Sequence, residues 1–128
     1  MSLLLDTHAV LWTLCDDPRL GKNARKILKA STEKDLFISD MSLLEIALLA
    51  DRGRITLSGT LQALLGEIAS ACRVLPINPA IAAKAISLKL NQSDPFDRVI
   101  AATAWHHDLI LVTRDARLTE CREIKTRW

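Results

Sequence analysis

Four carboxylates in a chain of 128 residues carry most of its chemical potential: Asp6, Glu45, Asp97 and Asp115. Asp6 closes the apolar run Leu3-Leu4-Leu5, and Asp115 stands just past Leu109-Ile110-Leu111-Val112. Both runs read as strands of a sheet interior, too short and too apolar for much else. Glu45 and Asp97 fall near the starts of helices. In an open parallel sheet, strand carboxyl ends and the first turns of the following helices share one edge, where such folds bind ligands. Four carboxylates gathered there repel one another in a partly dry site unless a cation joins them. Donors that are all oxygen select Mg²⁺ or Mn²⁺ over zinc. Those ions acidify a bound water and bridge phosphate oxygens, which is the equipment of phosphodiester hydrolysis.

Each acid also has a plainer reading. Asp94 is a good N-cap, Pro95 suits the first helical position, and Asp97 favours the helix dipole. Ser42-Leu43-Leu44-Glu45 fits the S-x-x-E capping box, while Asp40 competes for the cap and would move Glu45 into the second turn. A carboxylate within the apolar segment MSLLEIALLA must be paired, coordinated or neutralised if buried. Both readings of Glu45 stand. His106 and His107 are adjacent and face differently on a helix, so packing accounts for them better than metal binding.

The elements that position these groups alternate along the chain. After strand Leu3–Leu5 comes a helix with Ala9, Val10, Trp12 and Thr13, broken at Asp16-Asp17-Pro18. A helix over about 21–31 turns Ala24, Ile27 and Leu28 inward. Leu36–Ile38 is the next strand and Met41–Asp51 the next helix. Leu61–Ala71 is a helix with Leu61, Leu64, Leu65 and Ile68 inward, followed by a strand over Cys72–Ile77. Asn78-Pro79 opens a helix over Ala80–Leu90, with Ile81, Ala85, Ile86 and Leu88 as apolar surface. The loop Asn91–Ser93 leads to a helix from Pro95 to about His107. On it Phe96, Val99, Ile100 and Thr103 share a face, and Ala101, Ala102 and Ala104 allow close packing. The tail Glu123–Trp128 adds a short edge strand. The class is α/β, a single domain over 1–128 with a central, mostly parallel sheet of 4–5 strands flanked by helices.

Composition bounds the rest. With 49% hydrophobic and 25% charged residues the chain is globular. No apolar run reaches the ~18–20 residues of a membrane span, and the start lacks the basic lead of a signal peptide. Cys15, Cys72 and Cys121 form no CxxC pair and read as buried free thiols of a cytoplasmic protein. A net charge of +2 does not by itself announce a nucleic-acid binder. The bases cluster between Arg19 and Lys34 and again between Arg114 and Arg127, apart from the acids. That pattern suits a metal-holding site with a polyanion drawn around it.

Four ordered segments carry a resemblance: Asp6-Thr7-His8-Ala9-Val10-Leu11-Trp12, Ser42-Leu43-Leu44-Glu45-Ile46-Ala47, Asp94-Pro95-Phe96-Asp97-Arg98-Val99-Ile100-Ala101-Ala102-Thr103-Ala104, and Leu111-Val112-Thr113-Arg114-Asp115. Together they resemble the PIN domain, in particular the VapC-type toxin ribonucleases of VapBC toxin–antitoxin systems, over essentially the whole chain. The resemblance implies a Mg²⁺- or Mn²⁺-dependent endoribonuclease with Asp6, Glu45, Asp97 and Asp115 as catalytic and metal-holding residues. It makes Asp94 a cap or supporting acid and gives Thr7 and Thr113 hydrogen-bonding roles. It implies an RNA substrate, a homodimer, and an antitoxin that lays a hydrophobic helix in a groove and a basic side chain near the acids. Some relatives carry a His just before the DPFDR-like segment; here Asn91-Gln92-Ser93 stands there. A phosphoacceptor receiver domain needs an acidic doublet and a late Lys, and a haloacid-dehalogenase-type phosphatase needs D-x-D; this chain has neither. The remaining alternative is a catalytically silent PIN-like scaffold that binds RNA or protein.

Overall fold

A computed structural model describes residues 1–91 and 94–128. Strands β1 (Leu3–Leu5), β2 (Leu36–Ser39), β3 (Arg73–Leu75), β4 (Ile110–Val112) and β5 (Lys125–Arg127) form one sheet. Their order is β3-β2-β1-β4-β5, and every pairing is parallel. The register sets Leu4 opposite both Phe37 and Leu111. Alternation along the strands then builds two cores. Leu4, Phe37 and Leu111 face one layer, with helices α5 (Pro79–Ser87) and α6 (Pro95–His106). Leu3, Leu5, Ile38 and Val112 face the other, with α1 (Thr7–Leu14), α2 (Lys22–Lys29), α3 (Asp40–Asp51) and α4 (Leu61–Ala71). Strands covered on both faces must be apolar throughout, which is why Leu3-Leu4-Leu5 lacks a polar face.

The strand order decides where a site can form. From β1 the chain steps outward through β2 and β3, then returns to the far side of β1 to lay down β4. The direction of winding therefore reverses between β1 and β4, and the crevice beyond their carboxyl ends is left open. Asp6 extends the β1 ladder at that point, its N–H donating to the Val112 carbonyl at 3.1 Å.

Local chemistry fixes the helices around the crevice. Asp94 caps α6, its Oδ1 accepting from the Asp97 N–H at 2.8 Å, with Pro95 in the first turn. Arg98 donates to the carbonyls of Ala85, Leu88 and Leu90 at 3.0, 3.1 and 3.1 Å. Its planar fork satisfies the carbonyls left over where α5 ends and so pins the chain that delivers α6.

Several expectations need correction. The cap of α3 is Ser39, whose Oγ accepts from the Met41 N–H at 3.1 Å; Asp40 is already helical. Ser42 is wholly buried and makes no capping box, and Glu45 lies in the second turn. Helix α5 stops at Ser87, so Leu88 turns into the core from outside the helix, while Ile86 is 81% exposed. A short helix α7 (Ala116–Thr119) follows β4, too brief to leave a periodic signal. Cys15 is exposed, not buried. Of the loop Asn91–Ser93, Gln92 and Ser93 lie outside the described residues. Among the described residues no helix is long and apolar enough to cross a membrane.

Candidate active site

The four carboxylates arrive at the crevice by four different routes. Asp6 is the residue between β1 and α1 and caps that helix, its Oδ1 accepting from the Ala9 N–H at 2.8 Å. Asp115 plays the same part after β4, its Oδ1 accepting from the Arg117 N–H at 2.8 Å to start α7. Asp97 comes from the first turn of α6 and Glu45 from the second turn of α3. All four line one open cleft of about 370 Å³, together with Asp94. Capping and site membership therefore coexist: the N-cap conformation is what lifts Asp6 and Asp115 off the strand ends and into the cleft.

The two threonines fasten this arrangement from beneath. Thr7 is buried, and its hydroxyl faces both Glu45 Oε1, to which it donates, and Ser42 Oγ at 3.2 Å. Thr113 is wholly buried; its Oγ1 accepts from the Asp115 N–H at 3.1 Å. The Thr113 hydroxyl also stabilises the charged form of Asp6.

Electrostatics divide the four acids into three and one. Burial pushes the Asp6 carboxyl up against the pull of Thr113 and the Ala9 N–H, with the Asp115 charge adding to the rise. Burial also raises Glu45, opposed by Thr7 and reinforced by Asp94. Asp97 is pushed up to about 7, first by burial and then by the charges of Asp94, Asp115 and Glu45. Asp115 moves the other way, because the Arg117 guanidinium holds it below the usual carboxylate range. Arg117 Nη2 lies 2.9 Å from Asp115 Oδ2 and 3.6 Å from Asp97 Oδ2, so one side chain spans two members of the group.

A divalent cation fits this donor set on its chemistry. The groups are all oxygen, they come from four separate segments, and the carboxyls of three are raised by burial and then by one another's charge. Among the described residues, no three acid, His or Cys side chains are drawn close enough to hold an ion as they stand. The hydrogen bonds show why: Arg117 turns Asp115 toward itself, and Thr7 holds one oxygen of Glu45.

The separation of bases from acids expected from sequence does not hold in three dimensions. Arg19, Arg114 and Arg117 line the same cleft as the carboxylates, beside His8, Trp12 and Trp128. Arg117 sits two residues from Asp115, a spacing that the N-cap of α7 makes productive. Trp128 is brought in by β5, from the opposite end of the chain to Trp12, and no local pattern announces it.

This chain belongs to the PIN domain family, whose model matches residues 3–124. It is 35% identical over 122 residues to Ribonuclease VapC22 of Mycobacterium tuberculosis, spanning 94% of this chain and 92% of that protein. Solved structures share the fold at lower identity. The DNA-bound VapBC complex of Salmonella typhimurium superposes with a TM-score of 0.75 at 21% identity, covering 99% of this chain and 97% of that one. VapC20 of M. tuberculosis, described as a Sarcin-Ricin loop cleaving toxin, superposes with a TM-score of 0.67 at 16% identity, covering 97% and 99%.

Proposed function

We propose that this protein is a metal-dependent endoribonuclease, the toxin of a toxin–antitoxin pair, and that Asp6, Glu45, Asp97 and Asp115 are its catalytic residues. The observation that carries the reading is the convergence of these four acids, from four segments, on one open cleft at the switch point of the sheet. The 35% identity to a protein named as a ribonuclease, and folds shared with VapBC complexes, support the same activity and an antitoxin partner. Glu45 and Asp97 cap no helix and are raised by burial, so keeping them as carboxyls argues against a silent binding scaffold.

Asp6, Asp97, Asp115 and Glu45 would hold Mg²⁺ or Mn²⁺. Such an ion, when bound, supplies an acidified water and neutralises charge on a phosphate. The chain's own contributions are separate from the ion's. Thr7 fixes the rotamer of Glu45, and Thr113 steadies Asp6 and the turn that carries Asp115. Asp97 would have to be ionised to hold the ion. Arg117 offsets the charge of Asp115 and Asp97, and its guanidinium has phosphate-binding geometry. The expected result with purified protein is cleavage of single-stranded or loop RNA in Mg²⁺ or Mn²⁺ and none in chelator. Undiminished cleavage in chelator would exclude the metal.

Assembly follows the same reading: a cytoplasmic homodimer that the antitoxin grips. Trp12 is only 6% exposed and so belongs to the core. Leu44, Ile86 and Trp105, at 51%, 81% and 44% exposed, leave apolar surface for partners. A homodimer burying on the order of 1,200–2,000 Å² gives light scattering near twice the 14.2 kDa chain mass at micromolar concentration. A mass at the monomer value would remove the dimer and leave the nuclease untouched.

A further inference from the structure

One wall of the cleft has a construction of its own. Trp12 is almost wholly buried, and two guanidinium groups lie over its ring, Arg19 at 4.7 Å and Arg114 at 4.6 Å from the centroid. Trp128 braces the same indole edge-on, with ring centroids 5.7 Å apart at 64°. Gly21 makes room for that brace: a Cβ there would meet Trp128 Cδ1 at 2.5 Å and Nε1 at 2.6 Å. The two arginines differ in one respect. Arg19 is clasped by Asp17 through two hydrogen bonds, of 3.0 and 2.9 Å. Arg114 is exposed and makes no ion pair with any described residue.

A guanidinium lying over an indole keeps its N–H edge free for two oxygens of an oxyanion while the ring restricts its motion. Arg114 stands one residue before Asp115 and lines the same cleft as the four acids. Its hydrogen-bonding fork still lacks a carboxylate. The cleft, at about 370 Å³, is at the small end of ligand pockets. Its acidic and cationic walls therefore stand within reach of neighbouring phosphates on one strand.

We propose that Arg114, seated on Trp12 and flanked by Arg19, grips the phosphate next to the scissile one in single-stranded RNA. This rests on the nuclease reading and adds a substrate subsite to it. The Arg114 fork takes the flanking phosphate in a charge-assisted, bidentate contact. Trp128 and Gly21 position Trp12, and through it the two guanidiniums. The strand is thereby held beside the four carboxylates, which places one particular phosphate among them.

Binding is read separately from cleavage, with a fluorescently labelled single-stranded RNA and Asp97→Asn protein in Mg²⁺. Arg114→Ala on that background weakens affinity about tenfold and lowers the salt slope by about one phosphate contact. Arg114→Lys retains part of the affinity, because it keeps the charge without the fork. A scan of neutral methylphosphonates along the RNA, on the protein with Arg114 intact, locates one flanking phosphate whose neutralisation has a similar effect. That neutralisation has no further effect on Arg114→Ala. Affinity and salt slope unchanged by Arg114→Ala, or a scan showing no sensitive phosphate beside the scissile one, would overturn the subsite. The scan needs no substitution at Arg114, so a poorly folded variant does not hide the answer. RNA that binds in this pattern but is never cut by the unsubstituted protein refutes the nuclease and keeps the subsite; cutting with no Arg114 effect does the reverse.

Discussion

Asp6→Asn and Asp97→Asn are each expected to lower RNA cleavage by more than about 100-fold, while the fold is retained. Replacing groups that merely support a metal ligand already costs about 10–100-fold, so removing a ligand costs more. The substitutions are nearly isosteric, and Asn keeps an oxygen for the caps. At Asp6 that oxygen can still accept from the Ala9 N–H, so α1 starts normally. Asp97 caps nothing and receives charge repulsion from Asp94, Asp115 and Glu45, so its loss relaxes the site. Circular dichroism and thermal melts establish the fold, and a time course on labelled RNA reads the activity. Wild-type cleavage by either variant in Mg²⁺ would show that the residue is not part of the centre.

The second large effect is on stability, and it has a sign that separates a site acid from a cap. In the metal-free protein Asp97 binds its proton more tightly folded than unfolded, with the folded value near 7 against 3.8 for the free group. The stability it contributes is fully present below pH about 4 and is lost as pH rises through about 7. Asp6 and Glu45 are raised as well and steepen the same decline. Asp115, lowered by Arg117, acts in the opposite sense and only at more acid pH. At pH 8 in chelator, ionised Asp97 is a burden on the order of 2 kcal/mol after solvent screening. Asp97→Asn should therefore raise urea stability at pH 8 and change it little at low pH. Asp94→Ala should instead lose about 0.5–2 kcal/mol at both, because its carboxylate satisfies the Asp97 N–H. Equal losses for both variants would return Asp97 to a purely structural role.

The parallel sheet and the convergence of the four acids on its edge were legible because they depend on short-range grammar. Apolar runs that end on an acid, and an Asp-Pro that opens a helix, identify the sheet edge without any knowledge of strand order. What stayed hidden depends on long-range placement. The family resemblance gives Thr7 a hydrogen-bonding role, but its partners Ser42 and Glu45 lie more than thirty residues away and appear only where α1 packs against α3. The Ser42 pattern mimicked a capping box because Ser39, one residue before Asp40, took the cap and shifted the helix start. Arg114 and Arg117 flank Asp115 in the chain, and the loop before α2 brings Arg19 to the same cleft. Arg19, Arg114 and Trp128 thus meet at Trp12, although more than a hundred residues separate Trp12 from Arg114 and from Trp128. Sequence spacing put the four acids at one edge and missed the cationic wall beside them.

The central claim is that these four carboxylates form one cation-dependent centre, and calorimetric titration with Mn²⁺ tests it most directly. Run at pH 7 in two buffers of different ionisation enthalpy, it reads both binding and proton exchange. The expected result for the unsubstituted protein is saturable binding with net proton release, since Asp97 sits near half-protonation before the ion enters. Asp97→Asn should bind weakly and release fewer protons. Saturable heats that are identical in both proteins, or no binding by the unsubstituted protein, would contradict the claim.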